Sequence, residues 1–169
     1  MPFTPFHLGP GLLCGLLLLC YVDFPTFLIA NVIVDVEPFL VLTLNLPYPL
    51  HGFFHSFIGG TLVALLLTAM MSKARETFSP LLSICKIEQT VSFNRILFAS
   101  LSGIYLHIFL DSWMHRDIKP FYPLDLNPFL NVITPSETYR LCIWSFVVGA
   151  ILYIVKFVVI WRKTSYNEK

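Results

Sequence analysis

Charge is scarce in this chain. Its 169 residues hold only 11 Lys and Arg and 10 Asp and Glu, 12% together, against 56% hydrophobic residues. So little polar surface cannot cover a water-soluble domain, and a mean hydropathy of +0.74 belongs to a membrane protein. A basic excess is missing as well. The formal net charge is +1, which gives no electrostatic footprint for nucleic acid. The four cysteines, Cys14, Cys20, Cys85 and Cys142, show no CxxC spacing, so neither a disulfide framework nor a thiolate metal site is indicated. The opening "MPFTPFHLGP" lacks a basic n-region, and the apolar run behind it ends without a small-residue cleavage signature. A removable signal peptide is therefore not expected. No internal repeat and no second domain is apparent, so residues 1 to 169 read as a single membrane-embedded domain.

What the sequence does have is apolar length. Five stretches approach the roughly 20 residues that a spanning helix needs: Phe6 to Val22, Thr26 to Leu46, Phe53 to Met71, Phe93 to Trp113 and Leu141 to Trp161. The first is short and rich in glycine, and the second contains Asp35, Glu37 and Pro38. The expected fold is an all-α, polytopic bundle of about five membrane-embedded stretches, the alternative being four spans plus a re-entrant or broken helix. Between the third and fourth stretches lies a polar loop, and between the fourth and fifth a proline-rich one.

Five spans place Lys73, Arg75, Lys86, Arg95, Arg162, Lys163 and Lys169 on one side, and Arg116, Lys119 and Arg140 on the other. By the positive-inside rule the first side is cytoplasmic, with the C-terminus in, as for a multi-pass membrane protein. The same count puts His7, His51 and His115 together on the non-cytoplasmic face.

The histidines carry the chemistry. "HGFFH" sets His51 and His55 four residues apart, one turn of a helix, and "HIFLD" sets His107 and Asp111 at the same spacing. Ionisable groups inside spans are costly and face bundle interiors or cavities. Imidazole and carboxylate without cysteine are ligands for zinc first, and they admit manganese or iron. Asp35 and Glu37 add oxygen donors. Pro38 biases Glu37 away from the helical region, so a locally extended or broken backbone is expected there. The candidate metal ligands are thus His51, His55, His107, Asp111 and Asp35, with Asp111 or Glu37 as the acid that orients or deprotonates a water. A helix separates His107 from His115 by about 12 Å, so His115, with His7 and Asp117, is assigned to a second site or to substrate contact. Gly52, Gly59, Gly60 and Gly103 are expected to let helices approach closely.

The elements "DVEP", "HGFFHS" and "SGIYLHIFLDSWMHRDIKPFYP" resemble the YdjM-like family of inner-membrane putative metal-dependent hydrolases, whose pattern runs D-x-D-H, H-R-G-x-T-H-S and H-x-x-x-D. Asp35 matches the first acid of that pattern, His51 and His55 its central histidines, and His107 and Asp111 its late pair. The chain departs from it where Glu37 and Pro38 replace Asp-His, where the arginine after the first central histidine is missing, where Phe54 replaces threonine, and where Asp117 stands near a loop glycine. The resemblance implies a metal-dependent hydrolase. The motif order is similar, more distantly, to the all-helical zinc phospholipase C and nuclease group, which implies phosphoester chemistry. A cavity at the bilayer surface would then receive a lipid or lipid-linked phosphate ester. The residues alone also leave open a metal or proton transporter using the same cluster, and a non-catalytic membrane adaptor with structural histidines. The oligomeric state is not legible.

Overall fold

The computed structural model describes residues 4 to 167, with side chains from Phe6 to Lys163. Seven α-helices form an all-helical bundle, and no strand occurs among the described residues: α1 (Leu8–Leu17), α2 (Phe24–Ile33), α3 (Val36–Thr43), α4 (Phe57–Ala74), α5 (Ser79–Ile84), α6 (Phe93–Ser112) and α7 (Pro135–Asn167). Four helical segments are long and apolar enough to cross a membrane: Phe24–Thr43, Phe57–Ile84, Phe93–Ser112 and Pro135–Lys163. Only 6% of the most apolar window of the last is buried inside the molecule. So apolar and so little covered a helix suits a lipid surround.

The core is apolar and lies between α2, α4 and α6, where Ala30, Val34, Ala64, Leu67, Ile104 and Ile108 interlock. Small residues set the spacing. A Cβ on Gly103 of α6 would stand 2.5 Å from Ala30 Cβ and 3.0 Å from the Phe27 carbonyl oxygen of α2. Gly60 of α4 meets Ile104 and Ile108 of α6 in the same way. Gly52 and Gly59 act locally instead, against the Tyr48 ring and the Phe53 carbonyl. On the far side α1 packs on α7, with Gly9 against the Cys142 backbone.

Several elements differ from the sequence expectation, each for a local reason. The first stretch yields only a ten-residue helix, α1, about 15 Å long and too short to span by itself. The break in the second stretch falls at Val34–Asp35, and Glu37 is helical, in the first turn of α3. Pro38 has no N–H to give to the Val34 carbonyl, and the Glu37 N–H takes that oxygen instead at 3.0 Å. The helix of the third stretch, α4, starts at Phe57, not at His51. Pro47, Pro49 and Gly52 keep the preceding chain irregular, and Ser56 caps α4 by accepting from Gly59 N. The polar loop contains the short helix α5, with Pro80 in its first turn.

The bundle has two polar ends. At one, Asp23 caps α2 through Thr26 and pairs with Arg75 Nε at 2.5 Å, both residues fully buried. Arg95 and Gln89 close that end by donating to the carbonyls of Leu19 and Val22. The other end holds every histidine. The first stretch runs from His7 at the histidine end to Val22 at the arginine end, so the chain passes between the two layers five times although α1 alone is short. Of the basic residues grouped with this end in the sequence, Lys169 lies outside the described residues.

Candidate metal centre

Four buried or half-buried side chains converge where the α2–α3 break meets the C-terminal half of α6. Asp35, His55, His107 and Asp111 each bring a ligand-type atom within 4.8 Å of the others. His107 Nε2 lies 3.4 Å from Asp35 Oδ1 and 3.3 Å from Asp111 Oδ2, and His55 Nε2 lies 3.8 Å from Asp35 Oδ1. These approaches do not satisfy the atoms. His55 Nε2, His107 Nε2, Asp35 Oδ2 and Asp111 Oδ1 are all buried without a hydrogen-bond partner. Orphaned polar atoms in an apolar interior are costly one by one. The two imidazole Nε2 lone pairs, set beside the Asp35 and Asp111 carboxylates, are what a bound cation would satisfy.

The outer sides of the same rings are satisfied. His107 Nδ1 meets the Asn31 carbonyl oxygen at 2.8 Å, and His55 Nδ1 meets Glu37 Oε2 at 2.8 Å. Each contact assigns the proton to Nδ1 and leaves Nε2 as the inward lone pair, the arrangement by which proteins orient metal-binding histidines. Glu37 is held in turn, because its two oxygens accept the backbone N–H groups of Gly52 and Phe54. Thus Asp35 and Glu37, which would point apart on one regular helix, approach His55 from opposite ring edges. Asn31 escaped the sequence reading because it acts through its main chain, which no side-chain motif encodes.

His51 leaves this group. It forms a second one with His115 and Asp117, whose ligand-type atoms also lie within 4.8 Å of one another. The expectation that His51 and His55 share a helical face is therefore corrected: the irregular turn at Gly52 and the 3₁₀ turn Phe53–His55 send the two rings into different groups. His51 donates its backbone N–H to Asp117 Oδ2 at 3.0 Å, and its Nδ1 lies 3.0 Å from the same oxygen. Burial, reinforced by the neighbouring His55, pushes the His51 imidazole below its ordinary pKa. Burial and His51 push His115 down to about 4. Both rings are neutral near pH 7, the form that binds metal. Burial works to raise the Asp117 pKa, but the His51 N–H donors outweigh it and hold the carboxyl below its usual range.

His7 stands at the edge of the first group, with Nε2 3.0 Å from Asp111 Oδ1 and its ring 4.1 Å from that of His107. All five histidines form one continuous file of neighbouring rings: His7 to His107 at 4.1 Å, His107 to His55 at 5.6 Å, His55 to His51 at 4.9 Å and His51 to His115 at 4.2 Å. Of the sequence-derived metal ligands, Asp35, His55, His107 and Asp111 come together, and His51 joins His115 and Asp117. No protein-family model, curated protein or solved structure matches the chain.

Two cavities flank the centre. One, of about 310 Å³, is lined by Tyr48, His51, Gly52, Asp117, Lys119 and Tyr122 and is partly polar. The other, of about 330 Å³, is an almost wholly apolar groove between α3 and α4, lined by Val36, Leu40, Phe54, Leu62 and Leu66, with Glu37 in its wall.

Proposed function

We propose that this chain is a membrane-embedded, metal-dependent hydrolase that cleaves a phosphoester carried by a lipid or lipid-linked molecule. The observation that carries the reading is the convergence of Asp35, His55, His107 and Asp111, a ligand-type atom of each within 4.8 Å of the others, with both imidazole Nε2 atoms buried without a hydrogen-bond partner and their rings backed by Glu37 and the Asn31 carbonyl. A divalent ion held there, with zinc the first choice for a His/Asp set, supplies an acidified water and neutralises charge growing on phosphoryl oxygens.

The side chains divide the remaining work. His55 and His107 are fixed by their Nδ1 contacts, so they bind without reorienting. Glu37 has both oxygens engaged and serves to position His55, which leaves proton transfer to an Asp111 oxygen turned away from His107. We assign that role to Asp111 Oδ1, with His7 Nε2 3.0 Å away to stabilise the proton once it is taken. Water adds to phosphorus as its proton passes to Asp111, and the ester P–O bond breaks as Asp111 returns that proton to the leaving oxygen. General-base assistance of this kind contributes typically about 10² to 10⁴-fold.

Depth supports the lipid character of the substrate. From Asp23 to Asp35 the chain climbs about 18 Å, less than a hydrocarbon layer about 30 Å thick, which favours a centre within reach of a lipid-borne group. The apolar groove at Glu37 is open on the lipid-facing wall, and the polar pocket lies beside His51. A substrate with its tail in the bilayer and its phosphate at the centre matches both. The resemblance to inner-membrane metal-dependent hydrolases and the Lys/Arg asymmetry favour an inner-membrane protein with the centre on the non-cytoplasmic side.

The test is elemental analysis of the detergent-purified protein and its His55→Ala variant, beside a screen of phosphodiester, phosphomonoester and acyl ester substrates. A fall in bound metal from the wild type to the variant, together with loss of phosphoester turnover, is expected. Full activity in both His55→Ala and Asp111→Ala, or no metal-dependent turnover in the wild type, would defeat the hydrolase reading. Bound metal without turnover would favour a carrier instead.

A further inference from the structure

We infer that His51, His115 and Asp117 form a second divalent-cation position, on the wall of the polar pocket, which makes the centre dinuclear and receives the substrate's phosphate. This rests on the hydrolase reading above, and it adds a second ion and an approach side.

Three independent features point there. The first is donor placement: one ligand-type atom from each residue falls within 4.8 Å of the other two. His115 Nε2 is buried without a partner, so this group too has a donor that nothing in the protein satisfies. The second is orientation. Asp117 is fixed by the His51 backbone N–H at 3.0 Å, while His51 Nδ1 faces both its oxygens at 3.0 and 3.1 Å. As at His55, this contact orients the imidazole and leaves His51 Nε2 as the lone pair available to a cation. The third is connection. His115 donates its backbone N–H to the Asp111 carbonyl oxygen at 3.0 Å, and the His51 ring lies 4.9 Å from that of His55. Both ends of the second group are therefore anchored to residues of the first.

The two positions differ in access. The first group is enclosed, with His55 and His107 at 0% exposure. The second opens on the pocket of about 310 Å³ through His51 and Asp117, and Lys119 supplies an ammonium in the pocket wall. Lys119 is held by Asp125 at 3.1 Å, an exposed pair that an incoming anion can displace at little cost. A cation beside a lysine in a polar pocket takes a doubly or singly charged phosphate. Ions held by the two groups would together supply positive charge against the phosphoryl oxygens.

The test uses the full-length protein in detergent, loaded with zinc and freed of excess. Two ions per chain are expected in the wild type and one in His115→Ala. The conservative Asp117→Asn variant, which keeps the side-chain volume and a hydrogen-bond acceptor, should also retain one and guards against misfolding. Inorganic phosphate should inhibit the wild type, and Lys119→Gln should weaken that inhibition roughly tenfold without changing metal content, as for one lost charge-assisted contact. One ion in the wild type and in all variants would overturn the second position while leaving the first intact. Two ions in both His115→Ala and Asp117→Asn would overturn the assigned ligands, unchanged phosphate inhibition in Lys119→Gln would overturn the pocket's role, and no ion in the wild type would remove both centres.

Discussion

His55 Nδ1 and Glu37 Oε2 lie 2.8 Å apart, and this contact joins the helix break of the second span to the turn that precedes the third. Because Glu37 also holds the backbone of Gly52 and Phe54, it fixes the ring and the turn carrying it. Glu37→Ala should weaken metal binding about 10 to 100-fold with stoichiometry unchanged at saturating metal. Glu37→Gln, which keeps an acceptor, should fall between the two. Competition with a chromogenic chelator measures both.

Metal removal should destabilise the protein. An ion that binds only the folded state adds about 2.7 kcal/mol when present at a hundred times its dissociation constant. Chelation should therefore lower the midpoint of thermal unfolding in detergent. His107→Ala should show a smaller chelator shift than the wild type, because the first group has lost a ligand. An identical chelator shift in that variant would speak against His107 as a ligand.

The opposite end of the bundle should be sensitive for a different reason. Arg75→Ala leaves the Asp23 carboxylate, 1% exposed, without its ion partner. The cost is expected at about 3 to 5 kcal/mol, read as a shift of the denaturation midpoint, with metal stoichiometry of any folded fraction preserved.

Helix spacing should couple to the centre. Gly103→Ala places a methyl 2.5 Å from Ala30 Cβ and 3.0 Å from the Phe27 carbonyl, so α2 and α6 must separate. Overpacking of this kind costs about 1 to 3 kcal/mol. Since α2 supplies the Asn31 carbonyl that orients His107, metal affinity should fall together with stability. Unchanged affinity in a destabilised variant would show that the α2–α6 spacing does not control the centre.

Orientation is testable by labelling in intact cells, in a background without the four native cysteines. Leu124→Cys, at an exposed position of the loop that closes the histidine end, should react with a membrane-impermeant maleimide. Arg162→Cys, towards the other end of α7, should react only after permeabilisation. The reverse pattern would invert the proposed sidedness.

The all-helical, membrane-spanning character was legible in the sequence, because hydropathy over about 20 residues is a local property that tertiary contacts do not overturn. The donor types were legible too: five histidines and a few acids in an apolar chain are individually costly and so individually conspicuous. The grouping of those donors was decided only in three dimensions. The equal spacing of His51–His55 and His107–Asp111 implies two matched pairs if both lie on helices. The second does, but prolines and Gly52 hold the first out of helix, and a residue's partner then depends on the path of the turn rather than on a period of 3.6. In the same way Pro38 signals a disturbance near Asp35, while its position follows from which N–H reaches the Val34 carbonyl. Main-chain acceptors such as Asn31 leave no trace in residue type at all. The sequence by itself determined which side chains were available to bind a metal, and the tertiary structure decided which of them meet, because ligation depends on distances of a few ångströms that only packing sets.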